Sequence, residues 1–170
     1  MKKILIYLFI AAIIAAFIFQ SCPDQTMNNN PKVVEQTKKE LQIPAFDKDS
    51  AFAFIGDQVA FGPRVPNTEA HKKCKTWLAE KLKSYGATVY EQEFKATQYT
   101  GKQLNGTNII ASFNPNAPKR MIISSHWDSR HVADQDDRNK DKPILGADDG
   151  ASGVGVIIEL ARQLKAKPTD

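Results

Sequence analysis

His126 and Asp128 stand two residues apart in Ser125-His126-Trp127-Asp128-Ser129-Arg130. Twenty residues on, Asp148 and Asp149 adjoin in Gly146-Ala147-Asp148-Asp149-Gly150-Ala151-Ser152-Gly153. Imidazole and carboxylate are the donors that a catalytic divalent metal such as zinc takes from a protein. On extended backbone, side chains two residues apart point the same way. The His126/Asp128 spacing therefore suits a carboxylate that accepts the second imidazole N–H and fixes the tautomer of a ligand. An aspartate of the pair Asp148-Asp149 can hold one metal or bridge two. The chemistry these residue types point to is metal-assisted.

Taken singly, each motif has a plainer reading. A His-x-Asp triplet is common, and paired aspartates at a helix start satisfy its unpaired N–H groups. The combination is more specific, because it falls at a strand end and at a glycine-rich helix start. In open α/β sheets that edge is where ligands bind. Other reactive side chains give less. Ser129 and Ser152 lack the G-x-S-x-G elbow of a serine nucleophile. Cys74 falls on the apolar side of a helix and reads as a small buried hydrophobe. His71 lies near the edge of the same stripe and reads as a partly buried structural histidine. Asp134, Asp136 and Asp137 lack the glycine and terminal glutamate of an EF-hand loop. Residues 130–142 read instead as a solvated surface loop.

The elements that must position these groups follow from periodicity. Asp49 or Ser50 can cap a helix carrying Phe52, Ile55 and Val59, which Gly62-Pro63-Arg64-Val65-Pro66 breaks. A second helix after Asn67-Thr68 has Cys74, Leu78, Leu82 and Tyr85 in one stripe, its lysines mostly outside it, and Gly86 at its end. Thr88 to Phe94 and Thr107 to Phe113 read as strands. Met121 to Ser125 follows a turn at Asn114-Pro115-Asn116-Ala117-Pro118 and reads as a third, buried strand. A last helix runs from Ala151 to Lys165 with Val154, Ile157, Ile158, Ala161 and Leu164 inward. The fold class expected is α/β, with a mixed, mostly parallel central sheet flanked by helices and incomplete within these residues.

The chain of 170 residues is 42% hydrophobic and 25% charged, as a globular domain with a real core would be. Its formal charge of +4 falls to +2 without Lys2 and Lys3. No basic patch with interleaved aromatics is present, which gives nucleic-acid binding no support. Lys2-Lys3 precede an apolar run from Ile4 to Phe19, shorter than a membrane span requires. The run ends in Ser21-Cys22, so residues 1–21 read as a signal peptide resembling that of a bacterial lipoprotein. Lipidation of Cys22 would anchor the protein to the cell envelope, facing the periplasm or the cell surface. Residues 22–47 read as that lipidated cysteine and a flexible tether. Cys74 is then left alone, with no disulfide framework.

The two motifs together resemble the zinc aminopeptidase-like superfamily. More narrowly, the chain resembles its glutaminyl-peptide cyclotransferase branch, the animal-type glutaminyl cyclases and their bacterial relatives. The narrower likeness rests on Phe61-Gly62-Pro63-Arg64-Val65-Pro66, Thr107-Asn108-Ile109-Ile110, Phe113-Asn114-Pro115, Arg130 and Glu159-Leu160-Ala161-Arg162. It implies that residues 48–170 are the amino-terminal part of a catalytic domain that cyclises N-terminal glutamine of peptides and proteins to pyroglutamate, releasing ammonia. Asp149 matches the family's metal-binding aspartate. His126 matches a histidine that binds a second zinc in two-metal aminopeptidases and that the one-zinc cyclases of the family leave unligated, and Asp128 matches the supporting carboxylate. The resemblance puts a glutamate pair, including the general acid/base, and a later histidine beyond Asp170. The 170 residues alone are accordingly expected to be inactive. Two further readings stand beside this one: a zinc aminopeptidase removing N-terminal residues, and an inactive surface lipoprotein with a binding role.

Overall fold

The computed structural model describes residues 43–168. The expected signal peptide, Cys22 and most of the tether lie outside them. The elements are α1 (Lys48–Val59), α2 (Glu69–Ser84), β1 (Thr88–Thr97), β2 (Gln103–Ser112) and α3 (Gly153–Ala166). A wide helical turn, Ala147–Ser152, leads into α3. No helix among the described residues is long and apolar enough to cross a membrane.

The cap of α1 is Asp47, whose carboxylate accepts from the Asp49 and Ser50 N–H groups, rather than Asp49 or Ser50 themselves. The buried face is Ala51, Phe54 and Gln58, one position away from the expected stripe. Phe52 is consequently exposed. The shift follows from what α1 packs on: Gly155 of α3 lies so near the Ala51 carbonyl that a Cβ there would come within 2.7 Å of it. The N-terminal approach is tied to α3 as well. The Asp47 N–H donates to Glu159 at 3.1 Å, and Gln163 donates to the Ala45 carbonyl at 3.0 Å. Ordered packing therefore begins a few residues before Lys48.

Helix α2 forms as its sequence dictates. Thr68 caps it by accepting from the His71 N–H, and His71, Cys74, Leu78, Ala79 and Leu82 are buried. The chain leaves it through Gly86 at φ +90, where a side chain would be strained. The core joins Phe54, Cys74, Leu78, Val154 and Ile158, so all three helices meet in it. Ile109 and Trp127 pack against it.

β1 and β2 pair antiparallel in the register Thr88↔Ser112 to Thr97↔Gln103, closed by a turn containing Gly101. Both run farther toward their connecting turn than periodicity indicates. The register places Phe94 opposite Gly106, and the Phe94 ring lies across the space a Cβ there would need. The α/β class is borne out, and of the expected sheet the described residues contain this one antiparallel pair.

Met121 to Ser125 is the correction. It is extended but has no strand partner among the described residues, and Met121 and Ile122 are 86% and 92% exposed. The segment returns past β2 in the opposite direction: Arg120 reaches the Ser112 hydroxyl, and the Trp127 indole N–H donates to the Thr107 carbonyl at 3.0 Å. Both links run through side chains, and among the described residues no backbone hydrogen bond joins the segment to β2. A groove of about 950 Å³ fills the gap, lined by Phe94, Gly106, Ile110, Met121, Ile123 and Trp127 among others. An apolar run shows that a segment suits burial, not which neighbour will pair with it.

An unpaired apolar segment is an association hazard. Residues 43–168 expressed alone should self-associate, and Ile122→Lys should shift them toward monomer. Sedimentation velocity on the two proteins checks this.

Candidate metal centre

The loop carrying His126 and the turn carrying Asp149 meet. His126 Nε2 lies 2.9 Å from Asp149 Oδ1. Its Nδ1 lies 3.2 Å from the Asp128 carbonyl oxygen and 3.4 Å from the Asp128 carboxylate. The expected triad of His126, Asp128 and Asp149 is thus brought together, and about half of each side chain is exposed to solvent. Asp128 engages the imidazole mainly through its backbone oxygen, with the carboxylate a little farther off.

The chemistry of this donor set is informative. Both ring nitrogens of His126 face oxygens that only accept. A neutral imidazole has one N–H and can satisfy one of them, which leaves a lone pair pointed at a carboxylate. A metal ion held by His126 and Asp149 would resolve that conflict. His126 and Asp149 therefore fit as part of a zinc site. Among the described residues no group of three or more His, Cys, Asp or Glu side chains forms a cluster able to hold a metal. These two donors are fewer than the three protein ligands usual for catalytic zinc.

Local backbone explains the placement. Asp149 (φ −76, ψ 96) and Gly150 (φ 99, ψ −59) interrupt the helical turn, so the chain bends outward there before α3 begins. Gly150 is buried, and a Cβ on it would come within 2.9 Å of His126 Cε1 and 3.1 Å of the Asp128 carbonyl. The glycine is what lets the imidazole lie against the turn. Gln58 of α1 donates to the Ala151 carbonyl at 3.1 Å and ties the turn to the core. Ser125 hydrogen-bonds to the Gly150 carbonyl at 3.3 Å.

Trp127 carries the other side. Its ring stacks on His71 with centroids 4.2 Å apart. Burial holds the His71 imidazole below its ordinary pKa, partly offset by the Asp128 charge. His71 is therefore a packing partner, as expected. Arg64 is fully buried and donates to the Trp127, Leu145 and Gly146 carbonyls. Sequence reasoning noted it only as part of a helix-breaking stretch and of a resemblance, although an arginine between two prolines beside a glycine was the available signal.

The remaining candidates fall away. Ser129 is buried with an unpartnered hydroxyl, and Ser152 donates to the Asp148 carbonyl. Asp134 pairs with Arg130, while Asp136 caps a turn at Arg138 and Asn139. Residues 130–142 are a surface loop. Glu159 is buried and accepts from Asp47, Arg162 and Gln163. The Arg162 guanidinium beside it holds its carboxyl below the usual range, so it is an anchor for α1 and not a proton carrier.

Residues 108–170, which include His126, Asp128 and Asp149, match the sequence model of Peptidase family M28. The fold is similar to that of Tannerella forsythia glutaminyl cyclase, at 53% identity and a TM-score of 0.71 over 73% of this chain and 43% of that one. It is equally similar to a Zn-dependent exopeptidase from Parabacteroides distasonis, at 51% identity and a TM-score of 0.72 over 74% and 44%. A glutaminyl-peptide cyclotransferase of Drosophila melanogaster is 28% identical over 61% of this chain and 27% of its own length. The chain thus spans less than half the length of these solved structures and about a quarter of the curated relative.

Two outcomes follow from this packing. Gly150→Ala should destabilise the fold by about 1–3 kcal/mol, since it forces a side chain into a positive-φ position. Urea denaturation measures the loss. Burial pushes the Cys74 thiol up to about 11 from 9.0. The folded state holds that proton more tightly than the unfolded chain. Its stabilising contribution is complete below pH 9 and is lost as pH rises toward 11. Cys74 should resist iodoacetamide at pH 8 until the protein is unfolded, as mass spectrometry of the alkylated peptide would show.

Proposed function

We propose that the chain is part of a zinc-dependent glutaminyl-peptide cyclotransferase acting on peptides and proteins with an N-terminal glutamine. The observation that supports this best is the 53% identity to a bacterial glutaminyl cyclase in a chain that puts His126 and Asp149 at 2.9 Å. Asp149 is the residue that would hold zinc, joined by His126 where two metals are bound, with Asp128 fixing the imidazole. The chemistry a bound zinc supplies is Lewis-acid polarisation of a carbonyl oxygen. In the reaction the substrate's α-amine nitrogen bonds to the γ-carboxamide carbon and the bond to the amide nitrogen breaks. The proton lost by the amine leaves with ammonia, so no water is consumed. The chain's own contribution is a pair of donors on backbone that the core and the Arg64 bonds fix in place. The signal peptide and Cys22 support a lipid-anchored location at the bacterial cell envelope.

A second reading, a zinc aminopeptidase, draws support from His126. Its Nε2 is aimed at Asp149, as a second metal position would need, and one of the similar structures is described as a Zn-dependent exopeptidase. The two reactions leave different products.

The full natural gene product, incubated with zinc and a peptide beginning with glutamine, should release one ammonia and leave the peptide otherwise intact by mass spectrometry. Asp149→Ala should abolish the change. Loss of the entire glutamine residue would favour the aminopeptidase, and an unchanged peptide would count against both.

A further inference from the structure

We infer that Arg64 is the positioning residue of the metal centre, its guanidinium fixing the separation between the His126 loop and the Asp149 turn. The inference rests on the zinc reading of the site. His126 and Asp149 lie 23 residues apart in sequence, on two stretches of backbone with no strand or helix in common. Ser125 bonds across to the Gly150 carbonyl and the Ile144 N–H to the Arg130 carbonyl, and a single buried side chain bridges the two stretches with three bonds. Arg64 Nε donates to the Trp127 carbonyl at 2.9 Å, Nη1 to Leu145 at 2.8 Å and Nη2 to Gly146 at 2.8 Å. Trp127 sits between His126 and Asp128, and Gly146 opens the turn that bears Asp149.

The bond pattern is unusual for a buried cation. Arg64 is fully buried, yet among the described residues no carboxylate hydrogen-bonds to it. Buried arginines are normally paired with acids. Here all three nitrogens are spent on main-chain oxygens, and Asp128 supplies only a nearby compensating charge. A buried charge retained for three carbonyls is explained by its shape. The guanidinium is a rigid planar fork, whereas an ammonium is a point donor that cannot hold three separate oxygens at set distances.

The backbone of Arg64 adds a fourth link, because its carbonyl accepts from the Ser129 N–H at 3.2 Å. Arg64 therefore grips both neighbours of Asp128, Trp127 through its side chain and Ser129 through its main chain. Gly146 is in the left-handed region at φ 61, where a Cβ would lie 3.2 Å from Arg64 Nη2. The turn is shaped to receive the guanidinium.

Zinc affinity of the full-length gene product, measured by competition with a chromogenic chelator, tests the assignment. Arg64→Lys keeps the charge and loses the fork, and it should weaken zinc binding roughly 10- to 100-fold, as loss of groups that orient ligands does. Arg64→Gln removes the charge from the buried site and serves if the lysine variant does not fold. Leu78→Ala, a core truncation remote from the donors, is the control for general destabilisation. A loss of affinity in either Arg64 variant beyond that of Leu78→Ala, compared at matched loss of Tm, supports the inference. Zinc affinity within twofold of the natural protein, or a loss no greater than the control's, overturns it. Failure of both Arg64 variants to fold also overturns it, since the residue would then serve the whole structure. No zinc binding by the natural protein would overturn the zinc reading itself, and the Arg64 assignment with it.

Discussion

Three backbone carbonyls, those of Trp127, Leu145 and Gly146, converge on one buried guanidinium, and the site is arranged around that convergence. Each side of the arrangement needs the other. Carbonyls turned away from water require donors, and a buried cation requires acceptors. Arg64 satisfies both needs at once. Without it, three carbonyls would lose their partner where two unrelated stretches of chain must run side by side. The contact between His126 and Asp149 is a downstream consequence of that junction.

Beyond the buried Ala151, the links from the helical core to the site are polar and aromatic. Gln58 reaches from α1 to the Ala151 carbonyl, and Trp127 packs against the core cluster while stacking on His71. Glu159 works at the far end of the same layer, where it gathers Asp47, Arg162 and Gln163 and holds the start of α1 on α3. With α1 fixed at both ends, Gln58 and the turn it supports are fixed too. The glycines at 146 and 150 then allow a bend that L side chains would resist, and place Asp149 outside the helix rather than in its first turn.

How far the sequence foretold this depends on whether a signal was local. The caps and stripe of α2, the interior side of α3 and the presence of two strands, though not their pairing, are set by near neighbours, and they were legible. So was the meeting of His126, Asp128 and Asp149, because residue type and element boundary together restrict where such side chains can lie. What was missed depends on distant partners. The α1 stripe is off by one position because Gly155 decides which face fits, and periodicity cannot see Gly155. The apolar run Met121-Ile122-Ile123 suits a buried strand equally well wherever its partners are, so its pattern could not show that β2 does not pair with it. Arg64 carries no periodicity at all; its importance lies in three carbonyls up to 82 residues distant.

The missed strand and the missed arginine are linked. A ligand at the end of a paired strand takes its rigidity from the ladder of backbone hydrogen bonds beside it. The His126 arm has no such ladder among the described residues, and half the His126 side chain is open to solvent. Its stiffness must come from side chains instead. The Trp127 indole is bonded to Thr107 on β2, its ring is stacked on His71 of α2, and its carbonyl is bonded to Arg64. Ser129, two residues further on, is bonded to the Arg64 carbonyl. These contacts approach from three different elements, and contacts from several directions restrict rotation as well as translation. They hold the residue after His126 and both neighbours of Asp128, which is where a metal centre needs its donors least free to move.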